Sequence, residues 1–230
     1  MNAAKDCTLQ EKLLRCAMAL ILAAGALLAS VAASPAYAAP STVDVSIGGK
    51  IPYGGFATTW MSADGNIAYC AEPSSPTPAP GSYSTSPVPS GDVTAAIWYS
   101  FGSPGFDASM FPGSWYDGGG WDDAKYAAAS HVLIAYAYSG SESAATHGTS
   151  AEFASWAKSE LIGGTFARMK AGAGKVSAGF EAFCVRTGVG SQTLVSFSWS
   201  AGGVKVAKED SEAGAEPQGD ASLDGASFSV

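Results

Sequence analysis

The spacing of apolar and polar residues divides the chain into strands, then helices, then strands again. Between residues 41 and 70, Val43, Val45 and Ile47 alternate with polar neighbours, and Gly48-Gly49 punctuate the run. That period of two predicts a strand with one buried face. Phe56 to Trp60 forms a second run, and Asp64-Gly65 is a hairpin signal leading into Asn66-Ile67-Ala68-Tyr69-Cys70. In this last strand Ala68 and Cys70 share one face, Ile67 and Tyr69 the other. From Glu72 the stretch EPSSPTPAPGSYSTSPVPSG is so rich in Pro, Ser and Gly that it predicts an irregular excursion within one domain.

The period then changes. Asp92 is expected to cap a short helix from Val93 to about Phe101, stopped by Gly102 and Pro104. Residues 105–120 carry Phe106, Phe111, Trp115 and Tyr116 and read as an ordered loop packed on its own domain. Asp122 or Asp123 caps a second helix, Ala124–Tyr138, apolar nearly all round apart from Ser130 and His131; such a helix is buried. Thr149-Ser150-Ala151-Glu152 has the form of a capping box. It opens a third helix with Phe153, Trp156, Ala157 and Leu161 on one face, ended by Gly163-Gly164. Strands return at Phe180–Arg186 and Gln192–Trp199. The fold class expected is α+β, a β-sheet or sandwich with a small helical insert.

Composition narrows the setting. Lys5, Lys12 and Arg15 precede an apolar run from about Ala17 to Ala33, and Ala36-Tyr37-Ala38 has the small-x-small form of a cleavage site. Residues 1–39 therefore read as a signal peptide cleaved near Ala38, which sends the product to the outside or the cell surface. The whole chain has 12 basic and 20 acidic residues. Taking away the three basic and two acidic side chains of the signal leaves a strongly acidic domain without the Lys/Arg clusters that nucleic acid requires. Cys7 and Cys16 leave with the signal. Cys70 and Cys184 remain, either as a disulfide, which export permits, or as free thiols. With His131 and His147 they have no zinc-site spacing, so neither metal nor cofactor is expected; His147, in a polar loop, is expected to be solvated.

Three features in order, Tyr69-Cys70 ending a strand, Ala95–Tyr99 before Gly102-Ser103-Pro104-Gly105, and the buried helix at Tyr126–Tyr138, resemble the thioester domain of Gram-positive surface adhesins, the TQxA type. The resemblance covers roughly residues 43–200. In that family a Cys thiol attacks a Gln carboxamide, ammonia leaves, and the internal thioester captures an amine or hydroxyl on a host surface. The resemblance matches Cys70 to the family's cysteine. It sets Ala129–Ala135 against Ala-Thr-Gln-x-Ala-Ile-Trp, which puts His131 at the glutamine. An imidazole has no acyl carbon, so the expectation is a head domain, residues 40–200, that binds a host or environmental protein or glycan without a covalent bond. Gln192 and Gln218 are the glutamines left in the mature chain, and Gln192 is a remote substitute. The alternative makes Cys70 and His131 a thiolate–imidazolium pair of a cysteine peptidase or transglutaminase-like enzyme, oriented by Asp107, Asp117 or Glu181. In a plainer reading His131 is a core histidine and Cys70 a buried hydrophobe or the disulfide partner of Cys184.

Residues 201–230 resemble the truncated start of a Cna B-type (SpaA-like) repeat of pilins and adhesin stalks. By that resemblance Lys208 is the lysine of an intramolecular isopeptide bond, whose partner strand is absent from these residues; attachment to a cell wall would come through a downstream region.

Overall fold

The computed structural model describes residues 39–200. The expected signal peptide, apart from Ala39, and the Cna B-type segment with Lys208 lie outside the described residues. Six strands are formed: β1 Thr42–Tyr53, β2 Phe56–Ala63, β3 Asn66–Cys70, β4 Gly81–Pro87, β5 Phe180–Arg186 and β6 Leu194–Trp199. All neighbours are antiparallel, and the order β1-β2-β3-β6-β5-β4 closes as β4 pairs with β1. The fold is α+β as expected, with the sheet rolled into a barrel that leaves no open edge.

Closure needs a strand where the sequence predicts an excursion. The polar stretch Gly81–Pro87 is that strand, pairing Val43 with Tyr83 on one side and Cys184 with Ser86 on the other. Its lack of apolar alternation hid it. Hydrogen bonding on both edges holds it in place instead, assisted by Arg186 Nε donating to Ser86 Oγ at 2.8 Å.

Side chains divide by strand parity. Val43, Val45, Met61, Ala63, Ala68, Cys70, Phe183, Val185 and Leu194 form a cluster drawn from strands alone, which is the barrel interior. The opposite face carries Tyr69, Ala182, Cys184, Val195 and Phe197 into a second cluster shared with the helices. Strand β1 serves both. Ile47 lies opposite Met61, but Ile51 lies opposite Thr58, because one extra residue is inserted between Ile47 and Lys50. This bulge at Gly48-Gly49 reverses the parity, so Val43 and Val45 point inward while Ile51 and Tyr53 meet the helices.

The helices lie between β4 and β5: α1 Gly91–Tyr99, α2 Asp123–Ser139, the single turn α3 Glu142–Ala145, α4 Ala151–Trp156 and α5 Ala167–Ala171. Helix α2 is buried from Ala127 to Ala135, and Asp122 caps it by accepting from the Lys125 amide. Asp92 does not cap α1: Ser90 occupies that position, and Asp92, in the first turn, pairs with Lys170 at 2.7 Å. The cap of α4 is Ser150, which accepts from the Phe153 amide at 3.2 Å, one residue beyond the predicted Thr149. Gly163-Gly164 do not end this helix. It runs on through Ala157–Phe166 with the wider π-helical turn, where Thr165 Oγ1 donates to the Glu160 carbonyl, and joins α5. Phe106, Phe111 and Trp121 pack around Tyr126, and Trp115 packs on Phe153 and Trp156, so the loop aromatics cover their own domain.

Cys70 and Cys184 are both free and buried, so the pairing considered for them does not form. The reason is topological. Cys70 pairs with Leu194 and joins the interior cluster, whereas Cys184 pairs with Val195 and faces the helices. A strand lies between them, and their side chains leave the barrel wall in opposite directions.

Candidate functional site at the mouth of the barrel

Cys70 is the last residue of β3, where the interior of the barrel opens into a cleft of about 350 Å³. Thr58, His131, Gln192, Phe56, His147 and the segment Pro73–Thr77 also line it. Each arrives for a local reason. Thr58 stands on β2 opposite Ile51, on the face turned to α2. His131 lies mid-way along α2 and is 1% exposed. Gln192 precedes β6. Because Cys70 is opposite Leu194, the period of two places residue 192 on the same face as Cys70, as its diagonal neighbour. The backbone N–H of Gln192 donates to the Pro76 carbonyl, and that of Ala71 donates to the Thr193 carbonyl at 2.9 Å.

Thr58 Oγ1 sits 3.9 Å from Cys70 Sγ and 3.2 Å from His131 Nδ1, bridging the two. The side chain of Gln192 lines the same cleft and, with Thr58, favours the charged form of the thiol. Gln192 is 3% exposed; its Nε2 reaches Thr77 Oγ1 at 3.4 Å, and its Oε1 is buried without a partner. His131 Nε2 is likewise buried and unpaired. Orphaned polar atoms in one cleft cost stability, and each needs an explanation beyond packing.

The charge balance runs against a thiolate–imidazolium pair. Burial pushes the Cys70 thiol up to about 12, only partly offset by its bonds to Thr58 and Gln192. Burial also pushes the His131 imidazole down to about 3. Both groups are held neutral, the reverse of an activated Cys–His dyad. Among the described residues, none of the three candidate acids joins them: Asp107 accepts from Ser109, Asp117 from the Gly119 amide, and Glu181 lines a separate cleft beside α1. His147 is exposed at the rim, with its ring edge-on to Phe56. Among the described residues, no three His, Cys, Asp or Glu converge as a metal site would need, and no helix is long and apolar enough to cross a membrane.

Sequence reasoning placed Cys70 and His131 together, and they are together. It set Gln192 aside as remote, yet among the described residues it supplies the only carboxamide in the cleft. The signal that would have found it is the pairing of β3 with β6, a contact between strands more than a hundred residues apart.

No curated protein and no solved structure matches the chain. A family model described as "Thioester domain" matches residues 42–163, which include Cys70, Thr58 and His131 and make up more than half of the sequence. With a strand-end cysteine at the mouth of a barrel and a buried helix behind it, the chain belongs to the thioester-domain family, a domain type of surface adhesins.

Proposed function

We propose that this adhesin-type domain captures its ligand covalently, through an internal thioester between Cys70 and Gln192. The observation that carries the reading is the Gln192 carboxamide, buried in the cleft that Cys70 lines, with its oxygen unpartnered. The non-covalent expectation rested on His131 having no acyl carbon. A glutamine beside the same sulfur removes that ground.

The chemistry balances within the cleft. Sulfur adds to the Gln192 amide carbon, the C–N bond breaks, and the thiol proton leaves with the nitrogen as ammonia. A thioester is an activated acyl group, and a nucleophile on another surface displaces the sulfur and keeps the acyl carbon. Burial suits this end state, because a neutral thioester has no charge to desolvate where a thiolate would. Export, presentation on a stalk begun by the Cna B-type segment with its Lys208, and a host or environmental surface protein or glycan as ligand complete the proposal.

Intact mass tests it. The protein should weigh one ammonia less than its sequence requires, and Cys70→Ala and Gln192→Ala should each abolish that deficit. A full-mass protein whose Cys70 is open to alkylation after denaturation would sink the idea.

A further inference from the structure

We infer that His131 is the nucleophile that relays the acyl group, and that it directs capture towards hydroxyl-bearing ligands rather than amines. The inference rests on the Cys70–Gln192 thioester proposed above. Its starting point is the bridge formed by Thr58. If His131 Nδ1–H donates to Thr58 Oγ1, the Thr58 hydroxyl proton is free to donate to Cys70 sulfur, and the lone pair lies on Nε2. The opposite tautomer would bury an Nε2–H donor with no acceptor, because Nε2 has no partner. Unsatisfied donors are the rarer and costlier kind. The hydrogen-bond pattern therefore selects the ring form with a free lone pair on Nε2, in a residue that lines the same cleft as Cys70 and Gln192.

Two steps follow. His131 Nε2 adds to the Gln192 acyl carbon, the C–S bond breaks, and the electron pair stays on Cys70 sulfur, which the Thr58 hydroxyl stabilises. A ligand hydroxyl then attacks the acyl carbon and gives its proton to that thiolate. The C–N bond breaks, the pair returns to Nε2, and the products are an ester on residue 192 and a neutral thiol. Burial keeps the imidazole unprotonated as the attacking group and makes the released thiolate basic enough to take a hydroxyl proton; the charge separation it opposes in the first step is eased by the Thr58 hydroxyl at the sulfur and ends when that proton arrives. An amine needs no such base. Among the described residues the cleft is lined by no carboxylate to hold an ammonium, and it presents Ser74, Ser75, Thr77 and the exposed His147 around Pro73 and Pro76.

The test is a competition on the purified full chain, with glycerol as hydroxyl probe and methylamine as amine probe, read by intact mass. Wild type should give the glycerol ester, and His131→Gln should lower the ester-to-amide ratio by roughly 100-fold, the scale of one lost catalytic group. An unchanged ratio, or a wild type that takes only methylamine while its ammonia deficit is intact, would overturn the role of His131 and leave the thioester standing. Absence of the deficit in wild type would overturn both. Should His131→Gln fail to fold, wild-type kinetics decide: the rate should level off with glycerol concentration, because acyl transfer to imidazole comes first. Strict proportionality would reject the relay.

Discussion

At the scale of single residues, His131 ties stability to pH. Its folded-state pKa is depressed to about 3 from an ordinary 6.5, so the unfolded chain binds a proton more readily across that window. The contribution is intact above pH 6.5 and is lost progressively as the pH falls towards 3. By pH 5 the loss from this residue alone is about 2 kcal/mol. Urea midpoints at pH 7 and pH 5 should show that loss in wild type, and His131→Gln should remove it. Equal acid sensitivity in the two proteins would mean that the ring is hydrated. Thr58 is a second test. Thr58→Val leaves His131 Nδ1 without a partner and should cost about 1–3 kcal/mol in thermal or urea unfolding, whereas Thr58→Ser keeps the hydroxyl and most of the stability. Much of this site was legible in the sequence, since Cys70 ends an alternating strand and His131 interrupts an apolar helix. Gln192 was not, because a side chain's neighbours across a sheet depend on register with a strand far away in the chain, which no local pattern encodes.

At the scale of elements, two features separate local pattern from realised geometry. The first is the entry to α4. The spacing of Thr149 and Glu152 suggested Thr149 as cap, but its hydroxyl donates to the Thr146 carbonyl, and Ser150 caps instead. Ser150→Ala should therefore destabilise by about 1 kcal/mol. The corresponding change at Thr149 removes one bond in the preceding turn and leaves the cap untouched. The second is the bulge in β1. Gly48 faces the Trp60 backbone so closely that a Cβ would stand 3.0 Å from Trp60 Cβ. Deleting one residue of Gly48-Gly49 would restore the regular pairing and turn either Val43 and Val45 or Ile51 and Tyr53 out of their clusters. The expected result is loss of cooperative unfolding by circular dichroism; a deletion variant with a native transition would show that the parity change is dispensable. The glycines were visible in the sequence as punctuation, but their consequence was not, because a bulge acts through the partner strand. The π-helical continuation past Gly163-Gly164 was hidden for a related reason. Buried Leu161, Thr165 and Phe166 hold the helix to the core, and tertiary packing outweighs the glycines' weak intrinsic preference to stop it.

At the scale of the whole molecule, the proposed bond joins the end of the first three-stranded meander to the start of the last strand. The segment it encloses runs from residue 70 to residue 192 and contains β4, β5 and, among the described residues, every helix. A cross-link that closes a loop of roughly 120 residues restricts the unfolded chain far more than the folded one, which already holds the two side chains in one cleft. The chain-entropy relation established for disulfides puts the effect at about 5 kcal/mol. For a domain of this size each kcal/mol moves the Tm by roughly 2–4 °C, so the bond should raise it by about 10–20 °C. The comparison needs no substitution. Calorimetry of the same protein before and after methylamine treatment isolates the cross-link, because the amide left on residue 192 differs from the native carboxamide by a single methyl group. A large drop would make the thioester both warhead and brace, so that ligand capture releases a more deformable head. An unchanged Tm would separate the two, placing all the rigidity in the closed barrel and leaving the bond with chemistry alone.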